Sequence, residues 1–182
     1  MESLVRAATP EAMLSTLKSQ PAHVVVTFVL ERFHDVHRVE LPQLITMSER
    51  VEAAHASDSD CPKGLTRLLQ RIYAELEDHQ MKEEVILFPM MLSDPHPNIV
   101  FPIRRMMAEH TDLDRDLAGL ALLTRDFTAP EAACGTWRKL YLGLKKLAND
   151  LSLHMEIENT ILFPLFMNST VCIPESHCGH NH

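Results

Sequence analysis

Apolar residues along this 182-residue chain recur at spacings of three and four over four long stretches. Prolines and polar clusters separate the stretches, with cuts at about 19–21, 57–62, 93–98 and 126–130. A repeat of that period puts one apolar stripe on each of four amphipathic helices. The first covers about 21–55 and carries Val26, Leu30, Phe33, Leu41, Leu44 and Ile45 on one side. Pro42 lies inside it and predicts a kink there. The second follows the turn-rich "SDSDCPKG" and carries Leu65, Leu68, Leu69, Ile72, Leu76 and Leu87 as far as Pro89. The third begins near Asn98, has Pro102 in its first turn, and carries Met106, Leu113, Leu117 and Leu120. The fourth opens at "TAPE", where Thr128 and Glu131 have capping-box spacing, and reaches about Phe166. "HVVVTFVL" at 23–30 has strand propensity, but it runs straight into a helical pattern and is read as helix.

Four helices of similar length joined by short loops predict an all-α, up-down-up-down four-helix bundle. Residues 1–20 form an extension with a short helix from Thr9 or Pro10 to Lys18, residues 21–167 the bundle, and 168–182 a polar tail. The length suits one domain with a substantial core. Composition adds mostly exclusions. Hydrophobic content of 46% with 5 glycines fits a compact helical globule. A net charge of −8 argues against nucleic acid or an anionic membrane as partner. No apolar run reaches transmembrane length, and the first residues lack the pattern of a signal peptide, so a cytoplasmic location is expected. The four cysteines, Cys61, Cys134, Cys172 and Cys178, lack CxxC spacing and read as free thiols.

Eleven histidines change the picture. "DHQMKEEVILFP" (78–89) and "LHMEIENTILFP" (153–164) both place His, three residues, Glu, three residues, then Leu-Phe-Pro, and each ending reads as an apolar stop. Residues i and i+4 share a helix face, so His79 with Glu83, and His154 with Glu158, each present a nitrogen and a carboxylate to one point. Both pairs lie on the apolar stripe and therefore point inward, where an unpaired carboxylate is costly and a metal is a natural partner. The third helix offers His110; the first offers His34 and His37, with His55 at its far end. His34 and His55 stand about 31 Å apart on a straight helix, so both cannot serve one site. Four imidazoles and two carboxylates able to bridge suit a pair of transition-metal ions, with iron favoured over manganese and zinc left open. The spacing is not Glu-x-x-His, so the usual ferritin-like bundle does not fit. No HExxH, CxxC or glycine-rich phosphate loop competes.

"FHDVHRVELPQLI", "HASDSDCPKGL", "HQMKEEVILFPM", Glu109-His110 and "TWRKLY…LANDLSLHMEIENTILFPL" resemble the hemerythrin-like proteins that repair iron–sulfur clusters, in order over about 21–167. The resemblance implies two irons bridged by two glutamates, with His34, His79, Glu83, His110, His154 and Glu158 as ligands. It thereby selects His34 over His37. His55 also falls on a family histidine, but helical distance reads it as structural or surface. Glu84 and Glu109 have neighbours at the site; exposed helix glutamate is the favoured reading of both, with a place behind a ligand as the alternative. Implied partners are damaged iron–sulfur proteins as clients, with nitric oxide or dioxygen as small ligands, in a monomer or dimer. The alternative is a nitric oxide or oxygen binder or sensor without repair activity. Against a dedicated oxygen carrier, position 114 is Asp where that relative has a second third-helix histidine. Many members carry an extra N-terminal domain with a cysteine pair; here about twenty residues precede the bundle, none of them Cys, which puts steps needing that domain in question. The tail "CIPESHCGHNH" reads as polar, with His177, Cys178, His180 and His182 as an alternative transient metal set.

Overall fold

The protein was analysed as a computed structural model that describes residues 9–93 and 97–167. The tail with its Cys/His set, and residues 1–8 of the N-terminal extension, lie outside the described residues. Helix α1 is Pro10–Leu17, with the Thr9 side chain accepting from the Ala12 N–H at its start. Helix α2 consists of Ala22–Val29 and Asp35–Ala54 joined by a π-helical turn at Leu30–His34. Helix α3 is built the same way from Leu65–Lys82, a π turn at Glu83–Leu87, and Phe88–Leu92. Helix α4, Val100–Leu123, is regular throughout. Helix α5 runs through Gly135–Ile157 and a π turn at Glu158–Leu162, and ends with the short Pro164–Met167. No helix among the described residues is long and apolar enough to cross a membrane.

Helices α2 to α5 close into a ring, each against its neighbours in sequence and α2 against α5. Burial shows their alternating direction. One apolar cluster joins the C-terminal half of α2 (Leu41, Leu44, Val51) to the first half of α3 (Leu65, Leu69, Ile72). It also takes the C-terminal half of α4 (Leu113, Leu117, Leu120) and the first part of α5, around Trp137, Leu140 and Leu144. The second cluster takes the opposite ends: Val25, Val29 and Phe33 of α2, Leu87 and Phe88 of α3, Ile103 and Met106 of α4, and Leu162 and Phe163 of α5. Met13 and Leu17 of α1 cap that second cluster. The bundle is therefore up-down-up-down, with two oily ends. Between them lies a layer of buried polar side chains.

Three local expectations need correction. The helix runs through Pro42 without interruption. Pro42 sits on the exposed face, where water can serve the carbonyl that loses its donor. The departure from α geometry falls instead at Leu30–His34, where the Asp35 N–H bonds the Leu30 carbonyl. Second, Leu-Phe-Pro is not a stop: α3 continues past Pro89 to Leu92. The Phe88 N–H reaches back five residues to the Glu83 carbonyl, and the Phe163 N–H does the same to Glu158 at 2.8 Å. A following proline has no N–H and crowds the carbonyl four residues back, so an extra residue is accommodated ahead of it. The turn in α2 has no such proline, so proline is not its only source. Third, "TAPE" does not start a helix. Arg125, Asp126 and Phe127 take positive φ, Phe127 and Ala129 pack on the first apolar cluster, and α5 begins only after Cys134. Of the cysteines, Cys61 and Cys134 are free thiols, and Cys172 and Cys178 lie outside the described residues.

Candidate metal centre

The polar layer holds His34, His79, Glu83, His110, His154 and Glu158, the six side chains singled out in the sequence, each 5% exposed or less. Three of them stand at π turns: His34 ends one, and Glu83 and Glu158 begin the other two. His34 Nε2 lies 3.2 Å from His154 Nε2, and His79 Nε2 lies 3.1 Å from His110 Nε2. The Glu83 carboxylate sits between the pairs, with one oxygen 3.4 Å from His34 Nε2 and the other 3.4 Å from His79 Nε2. Glu158 bridges likewise, at 3.1 Å from His154 Nε2 and 3.2 Å from His110 Nε2.

The far nitrogens decide what this cluster can hold. His34 Nδ1–H donates to Glu84 at 2.7 Å, His79 Nδ1–H to Glu109 at 3.0 Å, and His110 Nδ1–H to the Asn159 side-chain oxygen at 2.9 Å. With the ring proton outside, three Nε2 lone pairs face inward. They meet carboxylate oxygens that are also acceptors. Both Glu83 oxygens and one of Glu158 are buried without a hydrogen bond. A chamber with three such nitrogens and three unpartnered carboxylate oxygens favours positive charge at its centre. Among the described residues, His34, Glu83, His154 and Glu158 can surround one cation, and His79, Glu83, His110 and Glu158 a second, with ligand atoms within 4.8 Å of one another in each group. Sharing both glutamates makes the two positions a bridged pair.

The metal-free ionisation tells the same story. Burial opposes a charge on His79, but Glu83 and Glu109 outweigh it and raise its pKa to about 9. His34 and His110 are raised for the same reason, by Glu83 and Glu158 respectively. Burial also opposes the Glu158 charge, yet His154 and His110 hold that carboxyl well below its usual range. Protons thus stand in for cations, and metal binding has to displace them.

Other side chains take places the sequence did not announce. Glu84 and Glu109, expected to be ordinary exposed glutamates, hold ligand-set histidines in their tautomer. Arg38 braces Glu84 at 2.8 Å, and Lys82 and Arg105 brace Glu109 at 2.8 and 2.7 Å. Asn159 was not anticipated at all, although it follows Glu158 as Glu84 follows Glu83. His37 is buried but belongs to neither group. It accepts from Gln80 Nε2 at 3.4 Å, and burial, reinforced by His154, lowers its pKa to about 3. His55 ends α2 with its ring 4.8 Å from that of Trp137, within the other half of the bundle. A cavity of about 180 Å³ opens on His79 and His110, with Glu75, Asp78, Glu109 and Asp112 among its walls.

Residues 25–166 match the hemerythrin HHE cation-binding domain. The chain belongs to the hemerythrin family. The donors fit the iron of hemerythrin domains, since imidazole and carboxylate together suit it. Among hemerythrin-family relatives, an iron-sulfur cluster repair protein YtfE of Pectobacterium carotovorum is 43% identical over 164 residues, 85% of this chain and 74% of that protein. The YtfE of Yersinia pseudotuberculosis is 40% identical over the same shares. A probable iron-sulfur cluster repair protein of Haemophilus influenzae is 42% identical over 144 residues, 79% of this chain and 65% of that protein.

Proposed function

We propose that this protein holds two iron ions between His34, His79, Glu83, His110, His154 and Glu158, and that it serves the repair of damaged iron–sulfur clusters. The observation that carries the reading is the inward-facing set of lone pairs, three of its histidines fixed in tautomer by Glu84, Glu109 and Asn159. The names of its relatives supply the biological direction. When bound, paired iron supplies a one-electron redox couple and a store of ferrous iron. The chain's own part is to keep the centre dry between two apolar clusters, to hold the imidazoles ready, and to leave one opening at His79 and His110. Clients are damaged iron–sulfur proteins, and nitric oxide or dioxygen are small ligands of the same centre. Residues 21–167 are the working unit, in the cytoplasm, as a monomer or dimer. Asp114 is exposed one turn beyond His110, so α4 brings a single imidazole, unlike an oxygen carrier's third helix.

The test is reactivation of a nitric-oxide-damaged [4Fe–4S] enzyme by the reduced, iron-loaded protein. Free ferrous iron with thiol at equal concentration is the control, and a Glu83→Leu/Glu158→Leu double variant the negative. Faster or fuller recovery than free iron is the expected result. Recovery no better than free iron, with tight reversible binding of nitric oxide, would replace repair by sensing or scavenging.

A further inference from the structure

The centre has a local two-fold pattern that pairs α2 with α4 and α3 with α5. His34 answers to His110, His79 to His154, Glu83 to Glu158, and Glu84 to Asn159. Glu84 and Asn159 differ in charge but both accept from a ring N–H, whereas at one place the acceptor itself is lost. His79 Nδ1 is served by Glu109, the residue just before His110. The corresponding residue before His34 is Phe33, whose ring stacks on His154 with centroids 5.0 Å apart and planes 9° apart. A phenyl ring accepts no such hydrogen bond, and His154 Nδ1 is buried without a partner. His37 does not fill the role. Its ring lies 5.8 Å from that of His154, and its own Nε2 is also unpartnered.

This difference bears on metal affinity. Three histidines already have a fixed acceptor for the Nδ1 proton, so that losing the Nε2 proton to an incoming ion leaves them with every ring atom satisfied. His154 instead satisfies itself in the metal-free protein by donating from Nε2 to Glu158 at 3.1 Å. To offer Nε2 as a ligand it must move that proton to Nδ1, where no acceptor waits. A buried donor without a partner is costly. Outer hydrogen-bond partners of ligand histidines are worth roughly 10–100-fold in metal affinity.

We propose that the two positions are unequal. The position between His79 and His110 is the tighter, and the one between His34 and His154 is the weaker and gives up its ion to a lower concentration of competing chelator at equilibrium. The cavity opens on His79 and His110, so it governs how fast ions exchange rather than how strongly each is held. The inference rests on the iron-holding part of the proposed function and is independent of repair activity.

The experiment is an anaerobic equilibrium competition for ferrous iron between the protein and a chromophoric chelator. Wild type should bind in two steps with affinities about 10–100-fold apart. Asn159→Leu, which leaves His110 without its acceptor, should weaken the tighter step about 10-fold and bring the two together. His154→Ala should remove the weaker step and leave the tighter in place. His110→Ala should do the reverse. Two equal steps in wild type overturn the proposal, as does loss of the tighter step in His154→Ala. An unchanged tighter step in Asn159→Leu overturns it even if the histidine variants do not fold. Failure to bind iron at all would remove the proposed function as well, whereas equal affinities with intact cluster repair would remove only this inference.

Discussion

Replacing Glu83 with leucine should destabilise the metal-free protein and also abolish the stabilisation that iron gives. In the metal-free protein Glu83 is 0% exposed and neither oxygen makes a hydrogen bond. Its nearest imidazole nitrogens are 3.4 Å away. Removing one partner of a buried ion pair typically costs about 3–5 kcal/mol, because the imidazoles whose charge Glu83 favours are left buried without it. In a domain of this size each kcal/mol moves Tm by roughly 2–4 °C. The iron-loaded protein loses more, because Glu83 belongs to both candidate positions and its loss disrupts both. Wild type at 100 times Kd gains about 2.7 kcal/mol from binding, a rise of roughly 5–11 °C. The variant should gain nothing. Anaerobic calorimetric melts of both proteins, with and without ferrous iron, measure all four quantities. A metal-free variant that melts at or above metal-free wild type, or an iron-dependent rise that survives the substitution, would show the account of Glu83 to be wrong.

Three further outcomes follow from other parts of the molecule. His34→Ala should lower iron content and alter the absorption of the iron-loaded protein, while His37→Ala and His55→Ala should keep both; the reverse order would displace His34 from the ligand set. Leu140→Ala, in the apolar cluster away from the centre, should cost about 2–5 kcal/mol in a denaturant melt with the iron stoichiometry unchanged. Asp150 accepts from Arg32 at 2.8 Å and from Lys146 at 2.9 Å, and although burial opposes its charge, these cations hold its pKa below the usual 3.8. A depressed carboxyl stabilises the fold above its unfolded pKa and loses that contribution as pH falls through the folded value. Asp150→Asn should therefore cost about 1 kcal/mol at neutral pH, the pair being partly exposed, and the gap to wild type should close below about pH 4. A gap that is constant with pH would assign the effect to packing.

Much of the bundle was legible because helical periodicity and proline placement are local. Even the β-branched "HVVVTFVL" was readable, since the pattern around it was helical and its buried face, Val25, Val26 and Val29, packs in the second cluster. The doubled His-x-x-x-Glu was legible for the same reason, one helical turn setting both donors on one face. Where chain-local signals competed, the reading failed. Thr128 and Glu131 have a capping spacing, but Phe127 and Ala129 gain more by packing across the bundle end, and the helix starts later. The Leu-Phe-Pro ending suggested a stop, whereas one extra residue in a π turn lets the helix pass the proline and continue.

The sequence by itself determined the helices, the two His–Glu pairs on their apolar stripes, and the small set of histidines able to join them. Those follow from spacing along one chain segment. Only the tertiary structure decided which groups stand behind the imidazoles, because Glu84 serves a histidine on α2, Glu109 one on α3, and Asn159 one on α4. Each of these contacts crosses between helices, and nothing in the local spacing records how two helices are rotated against each other. The same holds for His154 and Phe33: that a ring, and not a carboxylate, faces the fourth imidazole is a consequence of which side of α2 packs on α5.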